Sequence, residues 1–179
     1  MDLIVIRHTE TQSNVNYIVA GRSDEQLTPN GIKQAEELKE QLQKIDYDII
    51  ITSPVYRALQ TAQIVNYKNI PIIQDERITD RNPGDLLFKD RNLVNKTEWN
   101  SLTTLKTKDG AETLLSLLNR TRDFVNDIKL KYADKTVLVV THNSISRTLW
   151  MLHAQKNISL EELNSYYHKN KDIIIYKNY

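Results

Sequence analysis

Residues 1–14 read MDLIVIRHTETQSN. Leu3–Ile6 is an unbroken apolar run of branched side chains, the pattern of a strand covered on both faces. It ends on Arg7 and His8. A guanidinium beside an imidazole at a strand end is repulsive unless something anionic sits between them. What else the chain brings to that strand end decides both its fold and its chemistry.

Three further runs repeat the pattern: DIIIT (48–52), IPII (70–73) and TVLVVT (136–141), with DIIIY near residue 172 as a fifth. Helices with readable starts lie between them. LTPNGIKQAEELKEQLQK (27–44) offers Thr28 as N-cap and Pro29 at the first helical position, and SPVYRALQTAQIV (53–65) repeats this with Ser53 and Pro54. AETLLSLLNRTRDFVNDIKLKY (111–132) sets Leu114, Leu117, Leu118, Phe124, Val125 and Ile128 near one helical face. This alternation predicts an α/β fold, a three-layer α/β/α sandwich around a largely parallel central sheet. No repeat, linker or biased tract divides the chain, so a single domain over residues 1–179 is expected. The stretch 80–108 reads as a loop with short helices capping something.

Composition excludes several classes. The chain has 179 residues, 40% of them apolar, enough for a sizeable core. Its net charge of +1 gives no global attraction to nucleic acid or to an anionic membrane, and no basic stripe with aromatic platforms appears. There is no cysteine, hence no disulfide and no thiolate metal cluster. No apolar run approaches the roughly 20 residues that span a bilayer, and no basic segment followed by an apolar one opens the chain. A cytoplasmic protein is expected, which makes the Asn-x-Ser/Thr triplets at Asn95, Asn119 and Asn157 incidental. Oligomeric state is not written in the sequence.

In open α/β sheets ligands bind beyond the carboxyl ends of the strands. Strand one ends at Arg7-His8, strand two at Thr52-Ser53-Pro54 with Arg57 a turn into the helix, and strand four at Thr141-His142-Asn143. Parallel strands would gather two arginines and two histidines on one rim. That set calls for an anion, and phosphate suits the forked donors of arginine. Each residue alone has a plainer reading: a half-exposed histidine, or a solvated helix charge at Arg57. His153 and His168 have no matching partner and are assigned to structure.

The segment VIRHTETQSNVNYIVAGRSDEQLTPNGIKQA resembles the opening of the histidine phosphatase superfamily, branch 1, the phosphoglycerate mutase-like enzymes. The resemblance falls on Arg7, His8, Glu10, Thr11 and Asn14, then on Gly21-Arg22-Ser23-Asp24 and Leu27-Thr28-Pro29-Gly31. SPVYRALQTA is similar to that family's second arginine motif, GAETLLSLLNR to its Gly-x-Glu segment, and VLVVTHNSISRTL to the strand carrying its second histidine. The match extends in order over nearly the whole chain. It implies a metal-independent phosphatase without cofactor, acting on a small phosphorylated metabolite. His8 would be the nucleophile, with Arg7, Arg57, Asn14 and His142 cradling the phosphate.

The family's acid, a glutamate, is replaced here. RITDRNPGDLLFKD places Asp80 at that position, one methylene shorter, with Glu76 and Asp85 as competing carboxylates and Arg77 or Arg81 as surface partners. Thr9 replaces a glycine, bringing a hydroxyl near the phosphate loop. Asn143 replaces another, at a turn where its tolerance of left-handed backbone would help. Arg22 is a further candidate for substrate contact, unless it pairs with Asp24. In the 80–108 stretch, Phe88, Lys89, Arg91, Lys96 and Trp99 would shape the choice of leaving group, and Lys89 and Arg91 would meet any second anion. The resemblance implies that mutases of the family are longer, which favours hydrolysis; mutase-type transfer, or a phospholigand-binding protein that has lost turnover, stays open.

Overall fold

The computed structural model describes residues 1–104, 107, 109–154 and 158–179; Asn157 lies outside them. Five strands form one sheet: β1 (Asp2–Arg7), β2 (Ile49–Thr52), β3 (Ile72–Gln74), β4 (Thr136–Thr141) and β5 (Ile173–Tyr176). Their order is β3-β2-β4-β1-β5. All neighbours are parallel except β5, which runs antiparallel to β1 at the edge. The helices are α1 (Gln12–Val15), α2 (Pro29–Leu42), α3 (Tyr56–Val65), α4 (Lys96–Trp99), α5 (Leu114–Lys131), α6 (Asn143–Ala154) and α7 (Leu160–Ser165).

Side chains alternate across a strand, so the apolar runs feed two cores. Leu3, Val5, Val137 and Val139 pack with Leu117, Phe124, Ile145 and Leu149 of α5 and α6. Ile4, Ile6, Leu138 and Val140 pack with Leu38 and Leu42 of α2 and Ala62 and Val65 of α3. The result is the expected α/β/α layering. Leu3 to Ile6 are all fully buried, each side chain contributing about 1.5–3 kcal/mol from removal of its apolar surface from water.

α2 starts as its sequence signals: Thr28 Oγ1 accepts from the Gly31 N–H at 2.9 Å, with Pro29 next in line. The same hydroxyl donates to Glu10 Oε1 at 2.7 Å, tying the helix start to the loop after β1. Gly31 permits that closeness, because a Cβ there would lie 2.1 Å from the Glu10 carbonyl oxygen.

α3 departs from expectation. It begins at Tyr56 after Val55, not at Pro54, and Ser53 is not its cap. The Ser53 hydroxyl instead accepts from the Val55 N–H at 3.2 Å and faces His142. Residues 80–104 form a loop with short 3-10 turns at Gly84–Leu86 and Arg91–Leu93, followed by α4, over the carboxyl ends of the strands.

Candidate active site

Strand register builds the site. Arg7 pairs with Thr141 and Thr52 with Val140, so β1, β2 and β4 end level with one another. The His8 N–H donates to the Thr141 carbonyl at 2.8 Å and the Ser53 N–H to that of Val140 at 3.0 Å, carrying the alignment one residue past each strand. A cleft of about 550 Å3 opens there, with Arg7, His8, Asn14, Arg57 and Asp80 on its walls.

The His8 ring is held in one tautomer. Its Nδ1 lies 2.8 Å from the Thr9 carbonyl, which can only accept, so Nδ1 carries the hydrogen. Nε2 accepts from Arg57 Nε at 3.1 Å, so its lone pair is engaged by that N–H until another acceptor draws the guanidinium away. Burial, then the charges of Arg57 and Arg7, hold the imidazole well below its ordinary value of 6.5. A neutral ring fixed through one nitrogen is the form a histidine nucleophile needs.

Arg57 is the hub. It is fully buried on α3 and bonds His8 through Nε. Nη1 donates to the Ser23 carbonyl at 2.8 Å and Nη2 to that of Gly21 at 2.5 Å. Nη2 also reaches Asp80 Oδ2 at 3.1 Å and His142 Nδ1 at 3.3 Å. Since an arginine only donates, His142 Nδ1 is an acceptor, and its Nε2–H is directed at Ser53 Oγ, 2.8 Å away. The two imidazoles stand 5.3 Å apart at 57°. His142 is fully buried and lies behind Arg57 instead of on the cleft wall. Burial, then Arg57, Arg7 and Arg120, depress its pKa well below 6.5. Gly21 sits at φ +50°, and a Cβ there would come within 2.5 Å of Pro83, so glycine keeps this carbonyl in reach of Arg57.

Asp80 is 20% exposed and is the one carboxylate among the described residues that lines the cleft. Oδ1 accepts from Ser144 Oγ at 2.5 Å and from the Arg81 N–H at 2.9 Å. Its backbone is anchored from below: Arg22 Nε and Arg120 Nη2 donate to the Asp80 carbonyl at 2.9 and 3.1 Å, and Glu112 accepts from both arginines. Glu76 and Asp85 are exposed and do not reach the cleft. Arg77 pairs with Asp75 and Asp127, so it is no partner of Asp80.

Arg7 is held by a segment that carries no motif. Its Nη1 donates to the His168 carbonyl at 2.9 Å and its guanidinium lies 5.2 Å from the Tyr167 ring centroid. Asn170 Nδ2 donates to the His8 carbonyl at 2.7 Å and contacts Asn14 Oδ1 at 3.3 Å. Residues 167–170 thus brace Arg7, His8 and Asn14 together.

A family model described as the histidine phosphatase superfamily, branch 1, matches residues 3–178. The chain belongs to that superfamily. It is 31% identical to the uncharacterized phosphatase PhoE of Bacillus subtilis over 81% of its own length and 73% of that protein's. It is also 31% identical to a 2,3-bisphosphoglycerate-dependent phosphoglycerate mutase of Cytophaga hutchinsonii, over 90% and 80% of the two chains. Among solved structures, Bacillus stearothermophilus YhfR superposes with a TM-score of 0.85 at 29% identity, covering 97% of this chain and 89% of that one. The chain spans as large a share of the mutase as of the phosphatase, so length does not separate the two activities.

Several residues of this histidine phosphatase site sit differently from what their sequence positions suggest. The Thr9 side chain is turned away from the phosphate loop: its hydroxyl lies 3.4 Å from that of Thr61 on α3, and Thr9 is fully buried. What Thr9 offers the site is its carbonyl, beneath His8. Arg22 does not line the cleft and pairs with Glu112, not Asp24. Asn143 is the first residue of α6 and is not among the described residues with positive φ, so no left-handed turn explains it. Its Oδ1 accepts the His168 N–H at 2.7 Å, closing the brace around Arg7. Asn14 does line the cleft, as do Arg91, Lys96 and Trp99, whereas Phe88 and Lys89 do not. His153 packs against Tyr176 and Tyr179, far from this chemistry. Among the described residues no cluster of histidine and acidic side chains forms a metal site, and no helix is long and apolar enough to cross a membrane.

The buried histidines set a pH dependence of stability. His8 and His142 are held down as above, and burial chiefly lowers His168 as well. Above pH 6.5 folded and unfolded chains both carry these rings neutral, and the difference vanishes. Below it the unfolded chain binds protons that the folded chain refuses, so stability falls as pH drops from 6.5 towards the depressed folded values. Each such ring steepens the loss by up to about 1.4 kcal/mol per pH unit. Thermal unfolding between pH 7.5 and 5 is expected to show a falling midpoint, less steeply in His168→Gln. A flat profile would contradict the buried neutral assignment.

Proposed function

We propose that this histidine phosphatase hydrolyses a small phosphomonoester through a phosphohistidine on His8, without a metal, in the cytoplasm. The observation that carries the reading is the His8 ring on the cleft wall: Nδ1–H tied to Thr9, and Nε2 held as an acceptor by Arg57. An arriving phosphate takes over the donors of Arg57 and Arg7, which frees the Nε2 lone pair. With Arg57 drawn onto the phosphate, Asp80 loses its cation partner and takes up a proton from solvent. The lone pair then forms the N–P bond as the ester P–O bond breaks, and Asp80 gives that proton to the leaving oxygen. Thr9 then stabilises the charge that develops at Nδ1–H. In the second half Asp80 takes a proton from water as the water oxygen bonds to phosphorus. The P–N bond breaks, its electrons return to Nε2, and phosphate departs. Arginines supply the charge stabilisation that phosphoryl transfer chiefly requires.

The decisive assay is release of phosphate from p-nitrophenyl phosphate with EDTA present, together with trapping of an acid-labile phosphoenzyme. Conversion of 3-phosphoglycerate to 2-phosphoglycerate only when 2,3-bisphosphoglycerate is added would support the mutase reading suggested by the Cytophaga relative. Phosphate binding without any turnover would support a binding protein.

Asp80→Ala tests the acid. Loss of a positioned proton donor costs about 10²- to 10⁴-fold where the leaving group is a poor one. An activated aryl ester, whose leaving oxygen needs no proton, is expected to lose less than about tenfold. Equal losses on alkyl and aryl phosphates would remove Asp80 from that role.

A further inference from the structure

The cleft is lined well beyond His8, Arg7 and Arg57. Six cations line it (Arg7, Arg57, Arg81, Arg91, Lys96 and Arg147) against a single carboxylate, Asp80. Arg57 is paired with Asp80, and Arg7 stands beside the nucleophile. The other four form no ion pair among the described residues. This is local, because Arg77 and Arg120 both sit on carboxylates.

Arg81 donates only to the carbonyls of Glu112 and Trp99, and lies 3.8 Å from the Trp99 ring centroid. It is 2% exposed, and its Nη2 is buried with no hydrogen-bond partner. Arg147 bonds the Asn100 side-chain oxygen and the Tyr166 carbonyl, and its buried Nε is likewise unpartnered. Arg91 donates Nε to the Ile18 carbonyl at 2.9 Å, stands 5.6 Å from the Tyr17 ring centroid and hydrogen-bonds the Tyr167 phenol, with no carboxylate of the described residues on it. Burial pushes the Tyr167 phenol up, but the charges and hydrogen bonds of Arg7 and Arg91 outweigh it and lower that group. The two guanidiniums therefore flank one tyrosine, so Arg91 is a neighbour of the phosphate arginine. Like charges gathered without counter-charge cost free energy that an anionic ligand recovers.

We infer that the substrate carries a second oxyanion besides its reacting phosphate, and that Arg91 receives it, with Lys96 on the same wall. This rests on the phosphatase reading and narrows its substrate class. The fork of Arg91 suits a carboxylate or a second phosphate equally, and Trp99, Tyr17 and Tyr166 line the same cleft.

The test compares kcat/KM within two pairs of esters. One pair is 3-phosphoglycerate against glycerol 3-phosphate, which differ by a carboxylate. The other is fructose 1,6-bisphosphate against fructose 6-phosphate, which differ by a phosphate. A charge-assisted contact predicts a preference of about 10- to 100-fold for the doubly anionic member of at least one pair. Whichever pair shows it identifies the second group. Arg91→Gln is expected to shrink that preference to within about threefold, and Lys96→Gln to reduce it less. Equal efficiency within both pairs, with p-nitrophenyl phosphate still hydrolysed, overturns the inference and leaves the phosphatase reading standing. A preference untouched by Arg91→Gln overturns the assignment to Arg91. If no ester is hydrolysed, the phosphatase reading fails, and calorimetric titration of the same four ligands decides: tighter binding of a doubly anionic member, lost in Arg91→Gln, supports the second site, and equal binding overturns it.

Discussion

His8→Ala is expected to lower kcat/KM on p-nitrophenyl phosphate by about 10⁴-fold or more and to abolish the trapped phosphoenzyme. The size follows from the role, since a missing covalent nucleophile removes the reaction path itself. No neighbouring side chain can substitute. His142 faces Ser53 through one nitrogen and Arg57 through the other, and it lies behind Arg57. The variant leaves the Arg57 Nε–H and the Thr9 carbonyl without their ring partner, so its fold is checked by circular dichroism alongside. A folded His8→Ala protein that still accumulates phosphoenzyme would overturn the nucleophile assignment. One that binds inorganic phosphate yet has no turnover is the result expected from an intact cradle.

Arg57→Ala is expected to combine a loss of about 10³-fold in kcat/KM with a loss of stability of about 3–5 kcal/mol. Both come from the same contacts. The guanidinium satisfies the carbonyls of Gly21 and Ser23, pairs with Asp80 and touches both imidazoles from a fully buried position. Removing it strands acceptors and an uncompensated carboxylate beside the cleft. Arg57→Lys separates charge from shape: a lysine keeps the cation but cannot span His8, Asp80 and two carbonyls with one planar fork. Urea unfolding is expected to show partial recovery of stability in the lysine variant, while kcat/KM stays at least about tenfold below the native value. Native-like turnover by Arg57→Lys would show that positive charge alone suffices.

Much of this site was legible along the chain because strand ends are predictable. A run such as Leu3–Ile6 must be buried, so the polar residues that follow it emerge together at the carboxyl ends of the strands, and the sequence alone groups Arg7, His8, Thr141 and His142. The Thr28-Pro29 cap was readable for the same reason, since a local rule about orphan N–H groups decides it. Ser53 looked like a second case of that rule. Its hydroxyl takes the Val55 N–H in a tight turn and meets His142, 89 residues away, so the helix starts later than the local rule predicts.

The neighbourhood of His8, the two arginines and the alternation of layers belong to the primary structure, because periodicity and strand-end chemistry are local properties. Side-chain direction does not. Whether the Thr9 hydroxyl faced the phosphate loop or Thr61 depended on where α3 packed. Whether Asp80, Glu76 or Asp85 entered the cleft depended on a loop held by Arg22, Arg120 and Glu112. The brace of Tyr167, His168 and Asn170 reaches Arg7 and His8 only because β5 folds back antiparallel beside β1. Contacts of that separation leave no periodic trace in a sequence, since their energy comes from groups that meet only once the sheet has closed.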